Sequence, residues 1–129
     1  MLTKSQILSA NDIKKELISV PEWGGDVYVR MMSGAERDNF EQKMSRKRNE
    51  HPDGFIANVR ARLCVETIVD EKGNRLFSDK DVDELGSKCA VALERLFDKS
   101  QKLNGFTEED IKELAKNSES GQSEDSGLD

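Results

Sequence analysis

Two short runs of alternating apolar and polar residues, divided by a turn-forming loop, constrain this chain more than any other feature. Ile18 and Val20 alternate with Leu17 and Ser19, then Pro21-Glu22-Trp23-Gly24-Gly25-Asp26 intervenes, and Val27, Val29 and Met31 alternate with Tyr28 and Arg30. Residues two apart in a strand share a face, so each run has an apolar and a polar side. Such runs around a Pro/Gly-Gly loop read as a hairpin or a strand pair. Two strands alone are marginal in water, so one face must be covered by helices or by another subunit.

Helical cover lies downstream. Ser33-Gly34-Ala35-Glu36 has the spacing of a capping box, and the helix behind it carries Phe40 and Met44 four residues apart and little else that is apolar. It runs through Arg46-Lys47-Arg48 to a stop at His51-Pro52-Asp53-Gly54, and is expected on the surface. Asp53 suits the N-cap of a central core helix from Phe55 to about Thr67, in which Ile56, Val59 and Leu63 recur at helical spacing with Phe55 and Cys64 beside them. Thr67-Ile68-Val69 is β-branched and fits either the end of that helix or a short strand. Asp70–Asn74 is a polar turn, and Arg75-Leu76-Phe77 completes a hairpin-like excursion.

The C-terminal half reads as helical. Ser78 caps a short helix bearing Val82 and Leu85, with Gly86 in the C′ position. Ser87 is placed to cap the next, whose stripe is Cys89, Leu93, Leu96, Phe97 and Leu103, and Asn104-Gly105 ends it. Phe106, Thr107 and Ile111 then have the spacing of a hydrophobic staple around an N-cap, and Leu114 completes a last short helix. The first 13 residues are ambiguous: Ile7, Leu8 and Ile13 fit a short helix or a turn against the core. Residues 117–127 contain no apolar side chain, so burial cannot offset the entropy of ordering them, and a mobile acidic tail is expected. The fold class is therefore α+β and mostly α-helical: an N-terminal β-hairpin packed with four to five helices. One domain is expected over residues 1–116, with the tail at 117–129.

Composition narrows the function. Hydrophobic residues make up 35% of the 129 positions and charged residues 36%, against about 25% charged in a typical domain. The core is thin, and an interface would add stability. A net charge of −6 disfavours binding to the phosphate backbone or to anionic membranes. No apolar stretch approaches a membrane span and no signal peptide opens the chain, which predicts a soluble protein that stays where it is made. Cys64 and Cys89 both lie in apolar helical patterns, outside any CxxC or Cys/His cluster, and are expected as buried free thiols rather than metal ligands.

Catalysis finds no support. His51 sits in a polar loop without visible partners. The acidic pairs Asp81/Glu84 and Glu108/Glu109 lie near helix starts, where capping and the macrodipole account for them. Gly24-Gly25 lacks the spacing of a phosphate cradle, and no GxSxG element is present. No cofactor or metal is expected. The basic group Arg37, Lys43, Arg46, Lys47 and Arg48, with Arg60 and Arg62, is the one feature that fits nucleic acid. Interspersed acids dilute it, and no aromatic residues interleave to stack bases. A solvated surface, or an interface with an acidic partner such as the chain's own tail or a neighbouring subunit's, explains it better.

Two blocks of sequence carry a family resemblance. Val20-Pro21-Glu22-Trp23-Gly24-Gly25-Asp26-Val27-Tyr28-Val29-Arg30 resembles the N-terminal signature of tail assembly chaperones of long-tailed, siphovirus-type bacteriophages. Val69-Asp70-Glu71-Lys72-Gly73-Asn74-Arg75-Leu76-Phe77-Ser78-Asp79, then Ala92-Leu93-Glu94-Arg95-Leu96-Phe97 and Leu103-Asn104-Gly105, resemble the second half of the same family in the same order. The resemblance implies a non-enzymatic binding protein that holds the tape measure protein soluble and helps recruit tail tube subunits. It also implies a homo-oligomer made late in infection, found in the host cytoplasm and absent from mature virions, while the acidic charge balance is what predicts no nucleic-acid and no membrane partner. Many such genes yield a longer second form by ribosomal frameshifting, and this chain resembles the shorter form. Apolar anchors for a helical client would be Trp23, Leu76, Phe77, Phe97 and Phe106, each of which equally suits the core. Rival readings are a head–tail connector type of virion protein and, behind it, a nucleic-acid-binding regulator.

Overall fold

Alternation in the N-terminal runs produces the expected hairpin. In the computed structural model, which describes residues 1–115, β1 (Lys15–Val20) and β2 (Gly25–Arg30) pair antiparallel, with Ile18 opposite Val27 and Glu16 opposite Val29. A turn of 3₁₀ helix over Pro21–Trp23 joins them, and Gly24 closes it at φ +78, a left-handed conformation that favours glycine. The sheet gains a third strand, β3 (Ile68–Val69), antiparallel to β2 in the order β1-β2-β3. The β-branched segment that suited either helix or strand thus does both: Thr67 ends a helix and Ile68 begins the strand. Val69 bridges to Arg75 across the polar turn, which forms the excursion expected there.

Among the described residues six α-helices accompany the sheet: α1 (Lys4–Ser9), α2 (Gly34–Asn49), α3 (Val59–Thr67), α4 (Val82–Gly86), α5 (Ala90–Leu103) and α6 (Glu108–Ala115). The α+β, mostly helical class is as expected. Ile18, Val20, Val27, Val29 and Ile68 share one sheet face and turn it toward the helices. Leu63, Cys64, Ala92, Leu93 and Leu96 meet it where α3 and α5 pack together. α1 stands apart. The Thr3 hydroxyl and the Gln6 side chain cap it reciprocally, yet none of its residues is buried, so the first segment is a helix that does not lie against the core.

Several local expectations change. α2 is not merely a surface helix, because Phe40 and Met44 are almost wholly buried and Phe106 meets Phe40 edge-on at 6.2 Å between ring centroids. A stripe two residues wide is enough when each residue is large. α3 begins at Val59 rather than Phe55. The Asp53 carboxylate accepts from the Phe55 N–H in a local turn, and Asn58 precedes the helix at φ +59. Gly86 is helical and not a C′ residue. A Cβ there would come within 2.6 Å of Asn58 Oδ1, so its smallness serves close packing of α4 on the start of α3. The Ser87 hydroxyl donates to the Glu84 carbonyl instead of capping α5, which starts after Cys89 with no side-chain cap. Cys89 is consequently exposed, whereas Cys64 is buried and its thiol pKa is pushed up to about 12 by that burial. The Phe106–Thr107–Ile111 staple forms: both apolar residues are buried, the Thr107 hydroxyl accepts from Asp110 N–H at 3.0 Å, and Thr107 N–H donates back at 2.9 Å. The acidic tail lies outside the described residues.

A polar hub joins these elements. Arg30, on the sheet face opposite the core, is 8% exposed; its Nε and Nη2 donate to the Glu66 carbonyl at 3.1 and 2.8 Å, and its Nη1 donates to Glu36 Oε2 at 2.8 Å. Glu66 lies in the last turn of α3, where carbonyls lack helical partners and attract cations. Glu36 also closes the Ser33 capping box through its other oxygen, at 2.8 Å. Burial opposes ionisation of Glu36, but the Ser33 N–H and the Arg30 guanidinium outweigh it and hold its carboxyl below the usual range. Nearby, the Asn104 side chain accepts from Met32 N–H and donates to the carbonyls of Arg30 and Ser100, tying the end of β2 to the end of α5. Replacing Arg30 by Met keeps the bulk but orphans the Glu66 carbonyl and leaves the Glu36 carboxylate with only its Ser33 partner. A loss of about 3 kcal/mol is expected, measured from the urea midpoint at constant slope, and a loss under about 1 kcal/mol would remove Arg30 from its central place.

Candidate functional site

The hairpin tip is held in place by charge. Glu22, in the 3₁₀ turn, takes both Nη groups of Arg95 on α5, at 2.7 and 2.8 Å. Paired N–H···O bonds of this kind fix direction as well as distance. They set the neighbouring Trp23 against α4 and the excursion, where Trp23, Leu76, Phe77 and Leu85 line a groove of about 640 Å³ with Asp81, Glu84 and Lys88 at its rim. Trp23 and Phe77 are half-buried and pack on the core from outside, while Leu76 is 53% exposed. The turn that carries Leu76 and Phe77 is organised by Asp70, whose carboxylate accepts the N–H groups of Lys72 and Asn74, both at 2.9 Å.

Of the five residues read as anchors, three therefore meet on one surface. Phe97 and Phe106 do not join them. Phe97 is buried beneath the Arg60 guanidinium, 5.7 Å from its ring, and Phe106 lies between Phe40 and the Arg37 guanidinium at 4.0 Å. A second groove, lined by Phe55, Val59, Ala61, Val91 and Leu93, reaches α4 at Gly86, and Lys88 borders both. Phe55 and Val91 are more than half exposed there. Sequence reasoning assigned Phe55 to the stripe of a helix that starts four residues later, and left Val91 out. The signal for Val91 is its place one position off the Leu93–Leu96–Phe97 stripe.

The basic group is largely engaged within the molecule. Arg37 bonds Glu41 and the Asn104 carbonyl; Lys43 bonds Glu66 at 2.7 Å and Asp79 at 2.9 Å; Lys47 pairs with Glu50 and Arg60 with Glu94. Arg48 donates to the Leu114 carbonyl near the end of α6, and Arg62 to the Ala57 carbonyl. Among the described residues only Arg46 of that group has no such partner. Burial works against the charge on Lys43 and on Asp79, yet their mutual pairing, with Glu66 and Arg75 beside them, raises the lysine pKa and lowers the aspartate's. Among the described residues no three His, Cys, Asp or Glu side chains are placed to hold a metal ion, and no helix is long and apolar enough to cross a membrane. His51 is exposed in its loop.

Fold and site together define a small α+β scaffold with open apolar grooves on its surface. The family model of phage tail assembly chaperones matches residues 3–117, and the chain belongs to that family. Membership makes it a phage tail assembly chaperone and implies a non-catalytic role in binding phage tail proteins. The structure of the bacteriophage HK97 tail assembly chaperone shares the fold at a TM-score of 0.52 and 20% identity, covering 81% of this chain and 95% of that one. No curated protein sequence matches the chain.

Glu22 makes the hairpin tip sensitive to acid. The hydrogen bonds from Arg95 hold its pKa at about 2, against 4.5 for an ordinary glutamate. A depressed acid stabilises the fold above its unfolded pKa and ceases to do so as pH falls through the folded one. The contribution should be complete above about pH 4.5, fall between there and about 2, and shrink with added salt because the pair is solvent-accessible. Thermal melts of the protein and of Glu22→Gln should converge across that window, and parallel curves would exclude the pair as its source.

Proposed function

We propose that the groove of Trp23, Leu76 and Phe77, continued past Lys88 by Phe55 and Val91, binds the tape measure protein and keeps it soluble until the tail is built. A helix whose apolar side awaits assembly aggregates unless that side is covered, and helix-in-groove docking needs aromatic and aliphatic anchors at a rigid surface. The observation that carries the reading is the convergence of three apolar residues, from the hairpin tip and a separate turn, onto one open groove. The acidic rim of Asp81 and Glu84 favours client helices with basic flanks. Recruitment of tail tube subunits, self-association and a place in the host cytoplasm complete the proposal. They are supported by family membership and by the thin, highly charged composition. Origin as the shorter product of a frameshifted gene is supported by the low-complexity acidic sequence after Lys116. The internal pairing of the basic group speaks against a nucleic-acid partner.

Co-expression with the tape measure protein of the same phage tests the reading. The wild-type chain should carry that protein from pellet to supernatant as a complex. Leu76→Asp should abolish the transfer with the melting temperature nearly unchanged, since the side chain is exposed. Phe106→Ala should instead cost stability, by about 3–5 kcal/mol for a buried phenylalanine, and transfer should persist wherever the variant stays folded. Full transfer by Leu76→Asp would remove the groove from the mechanism.

A further inference from the structure

Exposed apolar side chains on this molecule fall into two sets. Among the described residues, Phe55, Leu76 and Val91 border the grooves around α4, and the other large ones are Met1, Leu2, Ile7, Leu8, Ile13 and Leu17. Six such residues within seventeen is an unusual concentration for a chain with 36% charged positions. α1 has only six residues, none of them buried. A helix that short is marginal in water, capping box notwithstanding, and gains stability only by packing its apolar side.

The N-terminal arm and the Trp23 wall of the groove lie at opposite ends of the same hairpin. The arm enters at Lys15, whereas Trp23 lies beyond Val20 at the tip, and six strand residues span about 20 Å. An arm seated in a neighbour's groove therefore makes a head-to-tail contact, in which each copy gives one surface and receives the other. Charge selects between the grooves. Residues 1–13 carry two charged side chains, Lys4 within α1 and Asp12 beyond it, so the helix itself presents only the positive one. The Trp23 groove bears Asp81, Glu84 and Lys88, one negative charge in balance, while the second groove bears Arg60, Lys88 and Glu94, one positive. Lys4 also lies one helical turn from Leu8, so a charge and an apolar side chain share a face of α1.

We propose that residues 1–13 of one copy dock into the Trp23–Leu76–Phe77 groove of a second copy, with Ile7 and Leu8 against the aromatic rings and Lys4 toward Glu84. This rests on the groove assigned above to the client, and it makes self-association and client binding mutually exclusive at that surface. The arm then keeps the groove covered until a client helix displaces it.

The test needs no client, so its outcome is independent of whether the tape measure protein is the partner. Sedimentation velocity of the full chain should show association that grows with concentration. Deleting residues 2–9 should leave a monomer with an unchanged melting temperature, because α1 buries nothing in its own chain. Lys4→Glu and Glu84→Lys should each weaken association by up to about fivefold, and the double variant should regain it. Trp23, the sole tryptophan, reports directly: a peptide of residues 1–13 should shift its emission. A wild-type chain monomeric at every concentration, undiminished association after the deletion, or a bound peptide that leaves Trp23 emission unmoved would each overturn the proposal.

Discussion

The fold depends on a single guanidinium group more than on any other contact. Arg30 leaves β2 on the face away from the core, where an exposed charge would be ordinary, and is instead enclosed by the end of α3 and the start of α2. It supplies donors to a carbonyl that the helix cannot satisfy and to a carboxylate already closing a capping box. Sheet, α2 and α3 are thereby fixed relative to one another at both ends of the hydrogen-bond chain. Hydrophobic burial on the opposite sheet face provides most of the driving force but little direction, because apolar contact is not directional. The arginine supplies the direction. Arg75 repeats the device by donating to the Val65 carbonyl, again in the last turn of α3.

That rigidity extends to the groove. Arg75 is held by Val65, Glu66 and Asp79 and immediately precedes Leu76 and Phe77, so the turn that presents the apolar residues is tied to the same helix end as the sheet. On the other wall, the Glu22–Arg95 pair fixes Trp23. Both walls are therefore set before any partner arrives, which lowers the ordering cost of binding. The high charge of the chain has a structural use here: many of its charged side chains bond carbonyls, cap helices or lie over aromatic rings, and the thin core suffices because polar contacts complete it.

Much of this was legible in the sequence where the signal is local. The hairpin follows from period-two alternation around a Pro/Gly loop. The Ser33 and Thr107 caps follow from spacing alone, as do the stop at Asn104-Gly105 and the staple of Phe106 with Ile111, whereas Ser78 caps a 3₁₀ turn over Asp79–Asp81 that leads into α4, which has no side-chain cap of its own. Failures came where a local signal had a long-range competitor. Gly86 reads as a helix terminator but is small because Asn58 presses on it. Ser87 reads as a cap but bonds backward to Glu84. α2 reads as a surface helix with one apolar pair, and only the approach of Phe106, just ahead of α6, shows where Phe40 goes. For the site, Trp23, Leu76 and Phe77 could be named as apolar candidates, but so could Phe97 and Phe106, since one-dimensional spacing does not separate a groove from a core.

What the sequence determined by itself is the hairpin, most of the helices and the family resemblance, because strand period, capping chemistry and turn residues act over a few positions and repeat in recognisable order. What the tertiary structure alone decided is which apolar residues remain in contact with water. Exposure depends on which helices cover which face, and that is settled by contacts between residues dozens of positions apart. Arg37 with Asn104 and Arg60 with Glu94 close two aromatic rings away, and no comparable pair closes over Leu76, Phe55 or the N-terminal arm among the described residues.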